Sequence, residues 1–451
     1  MIARLRTFVS SDSIRDRALK GTAVSVATVG AGHVLRFASN LILTRLLFPE
    51  AFGLMALVQV VLSGLVLMSD VGLRISVMQN PRGDDEGFLN TVWTMQVLRG
   101  VFLWLMTCAL AFPMAAFYDQ PLLASILPVA GLSLLVRGFH TTNVLTAQRH
   151  MRIARYSWMT LIAQAAQIAA MTGLAYILQS VWALAIGTIF HSVVMLVLYQ
   201  RYVPGIRNRF RYDPANMREV FSFGKFLFLS TLATFAISQS DRAILGLAIP
   251  IDLLGIYGIA FTLATLPSTL SNSVASSIVF PLYRMRHPSE NLVNQANLFR
   301  ARRLVAGGTL VLNVSMAMIA PWFVSLIYDD RYVLAGPIAV ILCMANVPLV
   351  VFSGVMNAVL AKGDSFRTMI MNVTNALLQT GFTYVFVMSI GIVGAALAIG
   401  LTQLLTYPLL AMFLQRYGSW DIRGDLALMS GGLLATGLAC AWHWNEIQQL
   451  F

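Results

Sequence analysis

The chain has 451 residues, of which 58% are hydrophobic and 11% charged, and its mean hydropathy is +0.74. A soluble domain carries roughly 25% charged residues, so this composition excludes that class and points to a polytopic membrane protein. The net charge of +12 would suit a nucleic-acid partner on a soluble surface, but here the basic residues fall between long apolar stretches, and no nucleic acid is expected.

Residues 1–19 read as a polar segment with both charge signs, among them Arg4, Arg6, Asp12 and Asp16. No cleavable signal peptide is expected, because the first apolar stretch is too long and lacks a small-residue cleavage site. About 20 apolar residues cross roughly 30 Å of hydrocarbon. On that measure, helices are predicted over 20–47, 53–78, 88–114, 121–147, 156–178 and 181–200, forming a first six-helix bundle over 20–200. A linker at 201–220 leads to 221–249, 253–282, 303–328, 335–361, 368–389 and 391–415, a second six-helix bundle over 221–415. The tail, 416–451, holds a thirteenth candidate helix at 426–442, shorter than the others and glycine-rich. The three cysteines, Cys108, Cys343 and Cys440, all fall in apolar spans and imply no disulfide framework.

The basic residues fall in alternate connections. One side collects Arg4 to Lys20, Arg74 and Arg82, Arg149 to Arg155, Arg201 to Lys225, Arg284 to Arg303, Lys362 and Arg367, and Arg416 and Arg423. The other side holds Arg45 and Arg331. Lys and Arg accumulate on the cytoplasmic side of membrane proteins, which predicts a cytoplasmic N-terminus.

An internal repeat joins the two bundles. Trp182-Ala183-Leu184-Ala185-Ile186-Gly187 recurs as Ala395-Ala396-Leu397-Ala398-Ile399-Gly400, differing only at the first position. The turn Pro49-Glu50-Ala51-Phe52-Gly53 is echoed by Pro250 to Gly255, and Asn143 to Ala147 by Asn357 to Ala361. An even number of helices per half makes the repeats parallel, and transporters of this design place substrate between the halves. The fold expected is therefore an all-α polytopic membrane protein with two six-helix bundles as parallel repeats around a central cavity.

Four arginines, Arg36, Arg99, Arg137 and Arg242, fall inside the spans. A guanidinium cannot shed its charge, so it needs a polar cavity, an anion or a partner there. His33, Arg36 and Asn40 share one helical face, as do Arg137, His140 and Thr141, while Gln96 and Arg99 lie three apart. Arginine forks suit phosphate or carboxylate oxygens, and amides and hydroxyls suit sugars, so Arg36, Arg137, Arg99, His33, Asn40, His140 and Gln96 are the expected substrate-binding set. Asp241 and Arg242 are adjacent on one helix and point about 100° apart; Asp241 is a candidate for a coupling cation or proton, or for pairing with a first-half arginine. Asp70, with Asp241 and Arg242, is read as a gating or coupling residue. The embedded histidines, His191 included, titrate near neutral pH when unperturbed.

Enzymatic chemistry finds no support. There is no Gly-x-x-x-x-Gly-Lys-Ser/Thr phosphate loop, no Gly-x-Ser-x-Gly elbow and no cysteine-histidine cluster for a metal, and no cofactor is expected.

Several segments taken together resemble one family. Leu43-Thr44-Arg45-Leu46-Leu47-Phe48-Pro49-Glu50-Ala51-Phe52-Gly53-Leu54, Asp70-Val71-Gly72-Leu73, Asn90 to Gln96, Ala147 to Arg152 and Ser180 to Leu184 resemble the polysaccharide-export branch of the multidrug/oligosaccharidyl-lipid/polysaccharide exporter superfamily, the Wzx-type oligosaccharide flippases. The resemblance implies alternating access between two bundles and transfer of undecaprenyl-diphosphate-linked oligosaccharide across the bacterial inner membrane. It also implies a lipid-linked substrate, membrane lipids and, as partners, a glycan polymerase and export machinery. Relatives have twelve or fourteen helices, so the thirteenth candidate departs from their pattern. The alternatives are a cation-coupled drug or metabolite exporter of the same superfamily, against which the embedded arginines speak, and a membrane glycan polymerase or ligase.

Overall fold

The computed structural model describes residues 14–70, 72–150, 153–224, 227–274, 291–352, 355, 359 and 364–450. The segment 1–13, basic residues such as Lys225 and Arg284, and most of the Asn357-to-Ala361 element lie outside the described residues.

The helices are α1 Ile14–Leu46, α2 Pro49–Met68, α3 Leu73–Gln79, α4 Glu86–Phe117, α5 Leu123–Gly138, α6 Asn143–Arg149, α7 Ile153–Leu178, α8 Trp182–Tyr202 and α9 Pro214–Gly224. They continue as α10 Leu227–Ala248, α11 Ile251–Val274, α12 Leu292–Ile327, α13 Ala335–Ala345, α14 Val347–Phe352, α15 Ser365–Arg416, α16 Ile422–Trp442 and α17 Trp444–Ile447. No strand occurs among the described residues. Eight of these helices are long and apolar enough to cross a membrane, and the bent pair α5 and α6 makes a ninth span if counted as one. The protein is an all-α, multi-pass membrane protein.

Two predicted spans are broken, and two others follow one another across a kink. The second breaks after Met68, where Gly72 takes a left-handed conformation (φ 71°) ahead of α3. The fourth bends by 63° between α5 and α6. The 52 residues of α15 are two helices that meet at a kink, at Ile390 and at Gly391 with φ 61°, which falls between the two predicted spans. Helix α16 covers the thirteenth candidate and is among those long and apolar enough to cross.

Contacts divide the chain into two units. The first gathers α1 and α3–α9; the second gathers α2, residues 117–120 and α10–α17. The sequence reading placed α2 in the first six-helix bundle, whereas its packing partner is α11 in the second unit. The reason lies in the repeated turn. A Cβ on Gly53 would stand 1.9 Å from the Ile251 carbonyl oxygen, and one on Gly255 2.0 Å from that of Pro49. Only glycine permits so close a backbone approach, and the contact is reciprocal, each turn packing its glycine on the start of its counterpart. Phe48 and Phe52 extend this corner. Arg331 lies over the Phe48 ring at 4.5 Å, Tyr332 meets Phe52 edge-on at 6.0 Å, and the Tyr332 hydroxyl donates to the Leu47 carbonyl at 2.9 Å.

The core of the second unit is a cluster that includes Leu298, Leu310, Val347, Phe352, Leu410 and Phe413. Helix α16 closes it through two arginines of α12. Arg302 pairs with Asp425, whose other oxygen accepts from the Tyr407 hydroxyl at 3.0 Å. Arg303 grips Asp421 with two bonds of 2.6 Å each. At the start of α15, Asp364 accepts from the Arg367 backbone at 3.0 Å and from the Tyr417 hydroxyl at 2.6 Å, and the latter bond holds its carboxyl below the ordinary carboxylate value.

Candidate functional site

In the first unit the polar groups singled out by sequence are carried by α1, α4, the α5–α6 bend and α8. The bend is what sets them. A helix that stops within a membrane leaves its last carbonyls without partners, and hydrocarbon supplies none. The Gln96 amide of α4 answers this, donating toward the carbonyls of Arg137 at 3.3 Å, Gly138 at 3.1 Å and His140 at 2.9 Å. Gly100 and Gly138 let α4 and α5 touch at this level, a Cβ on Gly100 standing 3.0 Å from the Gly138 Cα. Gln96 therefore braces the bend through its amide nitrogen.

Because α5 ends at Gly138, Arg137 and His140 do not share a continuous helical face. His140 is carried by the bend itself, and its Nε2 lies 3.3 Å from the Ser192 carbonyl of α8. Its ring meets Tyr199 edge-on at 5.2 Å, and Tyr199 stacks on Tyr156 at 5.7 Å. Arg137 lies within electrostatic reach of Tyr156, Tyr199 and His140.

On α1, Arg36 is exposed while His33 and Asn40 are half-buried. Gln164 of α7 fixes this helix by donating to the Gly32 carbonyl at 2.7 Å. His191 of α8 lies within the electrostatic reach of both Arg36 and Arg137. Two arginines from different helices thus both lie in the neighbourhood of one imidazole. Both are exposed, and among the described residues neither guanidinium has a hydrogen-bond or ion-pair partner. Sequence spacing did not join His191, Tyr156 and Tyr199 to the arginines, because they stand on other helices. The one signal was a histidine inside an apolar span.

Arg99 faces elsewhere. Its Nε donates to the Ser69 hydroxyl at 3.0 Å, with Asp70 nearby. Asp70 accepts from the Gly72 backbone at 2.9 Å and so shapes the turn that ends the second span. In the second unit, Asp241 is 2% exposed and accepts from the Tyr257 hydroxyl at 2.8 Å, while its Oδ1 has no partner among the described residues. Arg242 turns away, over the Phe261 ring at 4.9 Å, so the adjacent acid and base are engaged with different residues of α11.

A family of proteins described as polysaccharide biosynthesis proteins matches residues 42–337. Two relatives are similar along much of the chain. The teichuronic acid biosynthesis protein TuaB of Bacillus subtilis (strain 168) is 20% identical over 300 residues, 66% of this chain and 61% of TuaB, so less than two thirds of that relative is spanned. An uncharacterized membrane protein in the cps region of Klebsiella pneumoniae is 20% identical over 410 residues, 89% of this chain and 83% of that protein. Among solved structures, the lipid II flippase MurJ in an inward closed conformation matches with a TM-score of 0.73 at 12% identity, covering 92% of each chain. An inward-facing multidrug resistance MATE family transporter of the MOP superfamily matches with a TM-score of 0.62 at 12% identity, covering 90% of this chain and 95% of that one. At such identities the likeness is one of fold.

Proposed function

Because this chain belongs to the polysaccharide biosynthesis protein family, within the polysaccharide-export branch of the MOP superfamily, we propose that it is a flippase for undecaprenyl-diphosphate-linked oligosaccharide repeat units in the bacterial inner membrane. Its N-terminus lies in the cytoplasm, and the bundles 20–200 and 221–415 alternate access. The observation that supports the reading is that Arg36 and Arg137 both lie near His191 and, among the described residues, have no carboxylate partner. An anion supplies the missing partner, and a diphosphate offers several oxygens to two guanidinium forks.

His33, Asn40 and His140 flank the arginines as hydrogen-bonding groups for the first sugars, with the lipid tail left in the bilayer. Gln96 and Arg99 position the bend and the end of the second span. Asp241, buried with one free oxygen, is the position for a coupling proton or cation, Arg242 its neighbour in gating, and Asp70 the turn beside Arg99. The names of the two relatives, one in teichuronic acid biosynthesis and one from a cps region, favour a surface glycan over a drug.

The test is complementation of glycan export in a strain lacking the protein. Arg36→Ala and Arg137→Ala abolish export at normal protein level and leave lipid-linked repeat units in the cytoplasmic leaflet, while the lysine variants retain part of it. Full export by both alanine variants would overturn the reading.

A further inference from the structure

The connection from α8 to α9 has no regular structure, yet it is fastened along its length. Ile206 exchanges backbone bonds with the Asn143 side chain at 3.0 and 3.1 Å. Asn208 bonds the hydroxyls of Thr141 at 2.6 Å and Thr142 at 2.7 Å. The backbone N–H groups of Arg209 and Arg211 donate to Asn90 and Thr94 of α4, each at 2.9 Å, and the Phe210 ring lies 4.8 Å from Trp93. The strap fixed in this way carries three arginines, Arg207 lining the cavity beneath it and Arg211 lying against Gly87 at the start of α4, with Arg209 between them in sequence. All three are exposed, and among the described residues none has an ion-pair partner.

Three of the carboxylates nearby have partners other than the strap arginines. Asp84 pairs with Arg149 at 3.2 Å and His150 at 2.9 Å, Asp85 accepts from the Gly87 backbone at 2.6 Å, and Asp213 accepts from Ala215 at the start of α9 at 3.0 Å. Beside and between the arginines stand large exposed aromatics, Tyr202 (55%) at the end of α8, Phe210 (66%) and Tyr212 (72%). The strap leaves the end of α8 and crosses the start of α4, both helices able to cross a membrane, so it lies where the chain emerges from hydrocarbon. Between the strap and α4–α6 is a cavity of about 250 Å³ lined by Trp93, Thr141, Gln200, Arg207 and Asn208, among others. Trp93 is 9% exposed, and its indole N–H has no acceptor among the described residues.

We propose that this strap and cavity dock the headgroup of an anionic phospholipid. The phosphodiester meets the guanidiniums of Arg207, Arg209 and Arg211, with Gln200, Asn208 and the Trp93 N–H as further donors. Phe210 and Tyr212 lie at the boundary with the acyl chains. Arginine binds phosphate oxygens in a fork, aromatic rings settle at the membrane interface, and clustered basic residues are drawn to an anionic leaflet. The site uses none of Arg36, Arg137 or His191, and it stands whether or not the protein carries a glycan.

The test is native mass spectrometry of the full chain in detergent, titrated with phosphatidylglycerol and, separately, phosphatidylcholine. Both carry a phosphodiester, but only the first has a net negative charge. The wild type retains phosphatidylglycerol by ~10-fold or more over phosphatidylcholine, and the triple variant R207Q/R209Q/R211Q loses that preference. The corresponding triple lysine variant keeps most of it. Unchanged thermal unfolding of the glutamine variant excludes misfolding, since the substituted side chains are exposed and unpaired. Equal retention of the two lipids by the wild type, or an undiminished preference in the glutamine variant, would overturn the proposal. So would displacement of phosphatidylglycerol by millimolar inorganic phosphate, which would assign the cavity to a free anion.

Discussion

Two sets of arginines, one in each unit, are held in opposite ways. In the second, Arg302 is 5% exposed and paired with Asp425, itself 3% exposed, Arg303 is bound twice by Asp421, and Arg242 rests on an aromatic face. In the first, Arg36 and Arg137 are exposed, without such partners among the described residues, and they act on the same histidine. A buried charge neutralised within its own unit holds helices together, and removing one partner leaves the other stranded. A charge left without a partner at membrane depth is costly to the protein alone, a cost that the proposed anionic substrate would offset.

The sharpest way to break this contrast is to remove one charge from each unit and compare stability. Asp425→Ala strands Arg302 and destabilises the protein by about 3–5 kcal/mol, read as thermal unfolding in detergent, and Arg302→Met with Asp425→Leu restores most of it. Arg36→Ala and Arg137→Ala shift the same midpoint by no more than about 0.5 kcal/mol equivalent. Comparable losses in the two units would erase the distinction.

Next in size is the reciprocal glycine contact in the second unit. Gly53→Ala or Gly255→Ala forces a Cβ onto a backbone oxygen and separates α2 from α11, at about 1–3 kcal/mol; an unchanged melting midpoint would deny the close approach. In the first unit, Gln96→Ala takes the side-chain donor from the Gly138 and His140 carbonyls at the α5–α6 bend, again about 1–3 kcal/mol, and Gln96→Glu does not substitute, since a carboxylate cannot donate. The smallest effect concerns Asp364. Its folded value is held below the unfolded one, so its contribution is present above about pH 4 and is lost as pH falls through the folded value. Below that pH the wild type loses melting midpoint more steeply than Asp364→Asn.

Much of this contrast was legible in the sequence, because hydropathy over about 20 residues reports a span directly and an unshielded arginine inside one is conspicuous. The split of α15 also showed, through the boundary before Gly391. The bend in the fourth span did not. Prolines stand inside α4, α5, α11, α12 and α15, whereas the break at Phe139 to Thr142 contains none and is held by Gln96 from another helix. Arg302 was read as a connecting residue because the charges around it shorten the apolar stretch; α12 in fact begins at Leu292, and its acidic partners lie more than a hundred residues on. The grouping of α2 with α11 rests on backbone contact between two distant turns. The repeat marked those turns, but hydropathy cannot say that they touch.

The most direct test is binding of undecaprenyl diphosphate to purified protein, compared with undecaprenyl monophosphate and with undecaprenol, for the wild type, Arg36→Ala/Arg137→Ala and R207Q/R209Q/R211Q. The account predicts that the wild type prefers the diphosphate, and that loss of Arg36 and Arg137 weakens its binding by on the order of 100-fold at unchanged thermal stability, each charge-assisted contact contributing about 1.5–3 kcal/mol. Removal of the three strap arginines leaves that preference in place. Equal binding of the three lipids by the wild type, or undiminished diphosphate binding without Arg36 and Arg137, would contradict it.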